Sequence, residues 1–352
     1  MEILKEALKN IGDLDEDAMQ KAKERLDNLT KPKGSLGVLE DLAVKIAGIR
    51  GKIFNEFKKK IVVVMAGDHG VVEEGVSAYP QEVTPQMVLN FLSGGAAINV
   101  LARHEGAEII CVDVGMAVDV NHPRLVVKKV KKGTENMAKG PAMTREEAVR
   151  AIEVGIETAW EQIEAGADLI ATGDMGIGNT TPSSAILSVY ANEPLERLVG
   201  RGTGVSDARW QKKLNAIKRA LEVNKPNPQD PVGVLAKVGG LEIGSIAGVI
   251  LGAASRRVPV IIDGFISSAG ALIASKIEPR STQFMIASHL SQEPGHKIML
   301  DLLGLEPMIF MKMRLGEGTG AVLAMNLVEA AIKIIREMAT FDEAGVSKEV
   351  KK

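Results

Sequence analysis

The sequence predicts an α/β fold: a Rossmann-like, mostly parallel six-stranded sheet flanked by helices, with a small helical domain made from the amino- and carboxyl-terminal segments. Three observations predict it. Six short apolar runs, mostly separated by helical patterns, follow one another from residue 60. Each run passes at its carboxyl end into glycine plus a polar or acidic residue, as strands do in doubly wound sheets that bind ligands at that edge. The first 50 and last 30 residues instead carry apolar positions at helical spacing, and chain ends tend to lie close together. The expected layout is 1–50 as one helical segment, 51–325 as the α/β domain and 326–352 as a second helical segment packing on the first.

In chain order, residues 1–30 read as helix. KPKGSLG, 31–37, is a loop in which Ser35 or a neighbour caps the helix carrying Leu39, Leu42, Ile46 and Ile49. The six runs are IVVVMAGDHG, AEIICVDVGM, ADLIATGDMG, VPVIIDGF, STQFMIASHLS and PMIFMKMRLGEGTG. Between them lie helical patterns at 85–104, 144–165, 210–224 and 241–254, with another at 320–339. MTREE supplies a capping box, Thr144 with Glu147 three residues on. The tail FDEAGVSKEVKK is polar.

Composition removes several function classes. A net charge of −2 offers no polyanion-binding surface, and 3% aromatic residues argue against base-stacking platforms, so no nucleic-acid partner is expected. The apolar stretch 243–255 is short, glycine-rich and closed by Arg256-Arg257, which excludes a membrane span. The single Cys111 rules out an internal disulfide framework, and MEILKEALKN reads as an amphipathic helix, not a signal peptide; a cytoplasmic protein is expected. There is no GxxxxGK[ST] and no GxSxG, hence neither a P-loop nor a serine elbow.

The most informative stretch is ADLIATGDMGIGNTTPSSAIL. A buried strand breaks into Gly173, Asp174, Met175, Gly176, Ile177 and Gly178, then closes on Asn179, Thr180, Thr181 and Pro182. Three glycines in six residues let a ligand approach the backbone. Thr181 as N-cap with Pro182 at the first helical position starts a helix whose free N–H groups and dipole favour an anion. A glycine loop alone fits a tight βα turn equally well; the added amide and hydroxyls favour phosphate. Gly200-Arg201-Gly202-Thr203-Gly204 is a second glycine loop, but it follows no strand and is not a dinucleotide fingerprint. Asp68-His69 ends the first run as acid/base groups or metal ligands, or else as a capped turn. The other histidines, at 104, 122, 289 and 296, show no ligand spacing, so no metal is expected. Tyr79, Met87 and Phe91 fit an apolar pocket or ordinary core. Glu317, between Gly316 and Gly318, is unshielded and free to point into a cleft, or else is an acidic first-turn residue of the following helix.

Ten stretches, in order, carry a resemblance: KPKGSLGVLEDLA, AGDHGVVEEGVSAYPQEVT, GGAAINVLAR, GPAMTREEA, GDMGIGNTTPSSA, GRGTGVSD, GAASRRVPVIIDGFISSAGAL, ASHLSQEPGH, RLGEGTGAVLA and EMATFDEAGVS, spanning about 31–347. The chain resembles the nicotinate-nucleotide:dimethylbenzimidazole phosphoribosyltransferases. The resemblance implies transfer of a 5-phosphoribosyl group from nicotinate mononucleotide to a benzimidazole nitrogen, in a homodimer and without a cofactor. It implies that Glu317 is the base and that phosphate lies near Gly176, Ile177, Gly178, Asn179, Thr180, Thr181 and Gly202. It implies further nucleotide contacts at Asp263, Gly264 and Ser291, and a base pocket at Ser77, Tyr79, Gln86, Met87 and Leu315. This chain has Asp174 where the family has Glu, which keeps the charge but shortens the reach, so Asp174 ranks second to Glu317. Two alternatives stand beside this reading: a phosphoribosyltransferase on the same fold using another base, such as a purine, and a non-catalytic nucleotide sensor.

Overall fold

Alternation along the strands decides which helices cover which face. In β1 (Lys60–Gly67), Ile61, Val63 and Met65 point into one helical layer and Val62, Val64 and Ala66 into the other, all buried. A strand apolar on both sides belongs inside a parallel sheet sandwiched by helices. The computed structural model describes residues 1–202, 204 and 206–347. Within it β1, β2 (Ala107–Gly115), β3 (Val126–Val127), β4 (Leu169–Met175), β5 (Val260–Ile262) and β6 (Met285–Ala287) form one sheet in the order β3-β2-β1-β4-β5-β6, parallel throughout. The strand order reverses between β1 and β4, and a crevice opens above their carboxyl ends.

One layer contains helices Arg145–Glu164, Leu241–Ser255 and Phe265–Ile277; the other contains Val38–Arg50, Ala97–Glu105 and Thr319–Glu337. Glycines set the spacing of the first layer. A Cβ on Gly155 would lie 1.9 Å from the Ser245 carbonyl oxygen, and one on Gly248 would lie 1.9 Å from that of Ile152. Only hydrogen lets these two helices approach so closely. The chain ends meet in the second layer. Phe341 N–H donates to Asn28 O, Thr30 N–H to Ala339 O, and the Arg25 guanidinium to Ile335 O. The first helix, Glu2–Asn10, packs instead in the opposite layer, on Arg145–Glu164 and Leu241–Ser255.

Several expectations are corrected. The run 307–320 is not a strand: Phe310, Met311 and Leu315 are 70%, 64% and 56% exposed, so its apolar residues have no second layer to enter. It lies extended beside the chain after β6, with Met308 and Ile309 N–H groups donating to Ser288 O and Gln292 N–H to Met313 O. The sixth strand is β3, two residues long and too short for any sequence pattern. Residues 1–30 form two helices, Glu2–Asn10 and Glu16–Asp27, because Asp15 caps a new helix by accepting from Ala18 N–H. Likewise 85–104 divides into Val83–Ser93 and Ala97–Glu105 at Gly94, whose φ of 84° ends the first helix. Ser35 caps nothing; Gly37 precedes the helix Val38–Arg50 and the Glu40 carboxylate takes the Leu36 N–H. Among the described residues no helix is long and apolar enough to cross a membrane.

Candidate active site

Strand ends bring the polar residues to one rim. β1 delivers Asp68 and His69, β4 Asp174, β5 Asp263, and β6 Ser288 and His289. Among them opens a cavity of about 380 Å³, large enough for a small ligand. Its wall holds Tyr79, Asp174, Asn179, Thr180, Gly202, Gly264, Ser291 and Leu315 from the sequence reading. It also holds Phe265, Ile266, His289, Glu293 and Arg314, which that reading did not assign.

Three buried acids, Asp174 in this wall and Asp263 and Glu317 beneath it, are in different states of use. Asp263 is spent on structure: Oδ1 accepts from Gly320 and Ala321 N–H at 2.8 and 3.0 Å, and Oδ2 from Gly318 N–H at 3.1 Å. It therefore caps the helix Thr319–Glu337 from the end of β5, both oxygens accepting from backbone amides. Asp174 accepts one hydrogen bond, from the Asn179 side chain at 3.0 Å. Burial, then Asp263 and Glu242, push its carboxyl well above the ordinary range, with Glu317 adding to the effect. Glu317 has φ of 63° between Gly316 at 84° and Gly318 at 93°, three successive left-handed residues. A side chain in that conformation costs on the order of 1–2 kcal/mol. The turn is clamped because its backbone rests on Gly173, where a Cβ would lie 2.6 Å from the Glu317 carbonyl oxygen. Glu317 is buried, its Oε2 has no partner, and burial lifts its pKa to about 7, against the pull of the Ile98 amide. Gly316, not Glu317 itself, forms the cavity wall beside Asp174.

The glycine loop differs in detail from its expected form. The helix begins at Thr180 with Asn179 as N-cap, so Thr181 is not the cap and its hydroxyl is buried without a partner. Pro182 lies two positions deeper than expected, still within the first turn, where a helix has no use for its N–H. Three loop amides are already taken: Ile177 N–H donates to Thr84 Oγ1, Asn179 N–H to Gly176 O, and Thr181 N–H to Gly178 O. An unforeseen cation stands behind Thr180 instead. Lys213 is fully buried on the helix Asp207–Asn224, donates to Thr180 Oγ1 at 2.7 Å and to Gly200 O at 3.3 Å, and is pulled down to about 8 by burial. Gly202 approaches the same spot, where a Cβ would lie 2.9 Å from Thr180 Oγ1. Thr203 and Val205, in and just after the second glycine loop, lie outside the described residues. Beyond Glu293 and Arg314 the site continues into a wider cavity of about 780 Å³ that includes Arg201, Trp210 and Lys312.

On the other side, Tyr79 and Leu315 form the wall, but Ser77, Gln86 and Met87 do not. The Ser77 hydroxyl accepts from Tyr79 N–H, Gln86 is exposed, and Met87 packs on the second core layer. The helix bearing Gln86 and Met87, Val83–Ser93, is tied to the glycine loop through the Thr84–Ile177 bond. His69 does not face a metal set: its Nε2 lies 2.8 Å from Glu242 Oε1, a fully buried pair beneath Gly176. Burial alone lowers the His69 ring's pKa, but the Glu242 carboxylate outweighs it and raises the pKa. Among the described residues no three His, Cys, Asp or Glu side chains gather as a metal site. His289 was legible as a strand-end residue; Lys213 was not, since a lysine in an amphipathic helix gives no sign that it points inward.

A doubly wound parallel sheet, a cavity at its switch point, a cationic pole at a helix start and a carboxylate held near neutrality define an enzyme acting on a small phosphorylated ligand. The chain belongs to the phosphoribosyltransferase family, whose model matches residues 11–346. It is 56% identical over 348 residues to the nicotinate-nucleotide–dimethylbenzimidazole phosphoribosyltransferase of Geotalea uraniireducens, covering 99% of each chain. It is 57% identical to the enzyme of that name from Chloroflexus aggregans, again with 99% of each chain covered. A crystal structure of nicotinate-nucleotide-dimethylbenzimidazole phosphoribosyltransferase from Thermus thermophilus superposes with a TM-score of 0.90 at 47% identity, covering 96% of this chain and all of that one.

Proposed function

We propose that this protein transfers the 5-phosphoribosyl group of nicotinate mononucleotide to 5,6-dimethylbenzimidazole, giving α-ribazole 5′-phosphate and nicotinate. The observation that carries the mechanism is Glu317: buried, held on a strained turn, unpartnered at Oε2 and lifted to about 7. The bond to be broken joins ribose C1′ to a pyridinium nitrogen, so nicotinate leaves with the bonding pair and needs no acid. The nucleophile needs a base, because attack through one benzimidazole nitrogen leaves an acidic proton on the other. Glu317 accepts that proton, and its pKa near the working pH suits the task. Direct displacement inverts C1′ from β to α. Asp174, whose neutral form is favoured by burial and by its acidic neighbours, is the less available base.

The phosphate belongs at the cationic pole, with Lys213 behind Thr180 and with Gly202, Ser291 and Arg314 on the wall. The aromatic base belongs against Leu315 and Tyr79. Exposed Phe310, Met311, Leu315 and Tyr79 at and beside the mouth support a homodimer in which a second copy covers them. The buried, unpaired Cys111 supports a reducing cytoplasm. The test is incubation with nicotinate mononucleotide and dimethylbenzimidazole, with the ribotide detected by mass. No ribotide, together with a product from a purine, would replace this reading by a transferase of other base specificity.

A further inference from the structure

One residue of the cavity wall has a defined polarity and no assigned task. His289 follows β6 and is buried except for one edge. Its Nδ1 lies 3.0 Å from Ser288 Oγ and 3.9 Å from Asp263 Oδ1. The single Ser288 hydroxyl proton is spent on Ile262 O at 2.7 Å, so Ser288 Oγ accepts from His289 and the ring proton sits on Nδ1. The ring cannot turn away, because Gly320 packs against its Nδ1 side, where a Cβ would lie 1.9 Å from Nδ1. Nε2 has no partner among the described residues and faces across Gly264, which leaves the space open. In the neutral ring Nε2 is thus a fixed acceptor presented to the cavity, a complement to a hydroxyl donor.

We infer that His289 Nε2 accepts a hydrogen bond from a ribose hydroxyl of the bound nucleotide and so positions the sugar for displacement at C1′. This rests on the functional reading above. His289 is a positioning residue in it: no proton is gained or lost there, and Ser288 and Asp263 act only by holding its tautomer.

The experiment compares kcat/KM of the parent, His289→Gln and His289→Phe with nicotinate mononucleotide, its 2′-deoxy and 3′-deoxy analogues, and nicotinamide mononucleotide. In the parent, loss of the recognised hydroxyl lowers kcat/KM by about tenfold, the size of one neutral hydrogen bond. In His289→Phe the normal substrate falls by about as much, and the deoxy analogue falls no more than about twofold further. His289→Gln, whose amide reaches the Nε2 position, recovers part of the discrimination. Equal deoxy penalties in the parent and His289→Phe overturn the assignment, as does coupling to the nicotinamide substitution instead, which would place the ring on the nicotinate carboxylate. A crystal structure of the parent with the nucleotide bound decides the matter if His289→Phe does not fold: Nε2 within hydrogen-bond distance of a ribose oxygen upholds it, and a separation beyond about 4 Å refutes it. Lack of turnover by the parent would count against the functional reading alone, and the bound structure would still decide His289.

Discussion

Replacing Glu317 by Gln separates catalysis from stability in opposite directions. The substitution keeps shape and removes only the ability to take a proton. General-base assistance contributes typically ~10²–10⁴ in rate, so kcat falls by about that factor, or about 3–5 kcal/mol of barrier. Stability moves the other way. Folding lifts this carboxyl from 4.5 to about 7, so the folded protein binds its proton more tightly than the unfolded chain does. Below pH 4.5 both states are protonated and the residue is neutral in its effect; between there and about 7 stability falls, and above 7 the full cost applies. A shift of roughly 2.5 units corresponds to about 3 kcal/mol. Gln never carries that charge, so Glu317→Gln gains up to about 3 kcal/mol at pH 8, roughly 4 °C in Tm for a chain of this size, and almost nothing at pH 4.5. The assays are steady-state turnover and calorimetric melts of both proteins at the two pH values. In the parent, kcat/KM rises about tenfold per pH unit below 7 and levels above it. If Glu317→Gln keeps kcat within a few-fold of the parent at neutral pH, Glu317 is not the base, and Asp174 is the next carboxylate to test. A Tm gain that is the same at both pH values would show that the buried charge is not the cause.

Lys213→Met should raise KM for nicotinate mononucleotide by about 10–100-fold, the range for losing a charge-assisted contact, with a smaller change in kcat. In the parent, that KM should rise with pH through about 8 as Lys213 loses its proton; a flat profile would remove Lys213 from phosphate binding. Gly248→Val should destabilise by about 3 kcal/mol or more, because its Cβ would meet Ile152 O at 1.9 Å; an unchanged urea midpoint would show that the two helices can part. Turnover should survive exhaustive EDTA treatment, since the departing ring is already cationic; activity restored by Mg²⁺ or Zn²⁺ would contradict that.

Strand ends were the legible part of the site. Glycine followed by a polar residue after an apolar run reports a local event, the exit of a buried strand into a turn, and it located Asp68, Asp174, Asp263 and His289 on one rim. The run 307–320 misled because apolar composition says that a segment seeks cover, not whether the fold provides it. β3 was invisible because two residues pair only when Val112 and Asp113 are already in place. The cap was misplaced by two residues, at Thr181 instead of Asn179, since a Pro is tolerated throughout the first helical turn and leaves the start ambiguous.

By itself, then, the amino-acid sequence determined the doubly wound class, the capping box at Thr144, the rim of polar strand ends and the glycine turn at Glu317, all of which depend on neighbours a few residues apart. Tertiary structure alone decided what each carboxylate is used for. Asp263 is consumed by amides of the helix Thr319–Glu337, more than fifty residues away. Lys213 turns inward to Thr180, thirty-three residues back, and Glu317 titrates near 7 because packing removes its water. Hydrogen-bond partners and desolvation arise from contacts between distant segments, and those exist only once the chain has closed on itself.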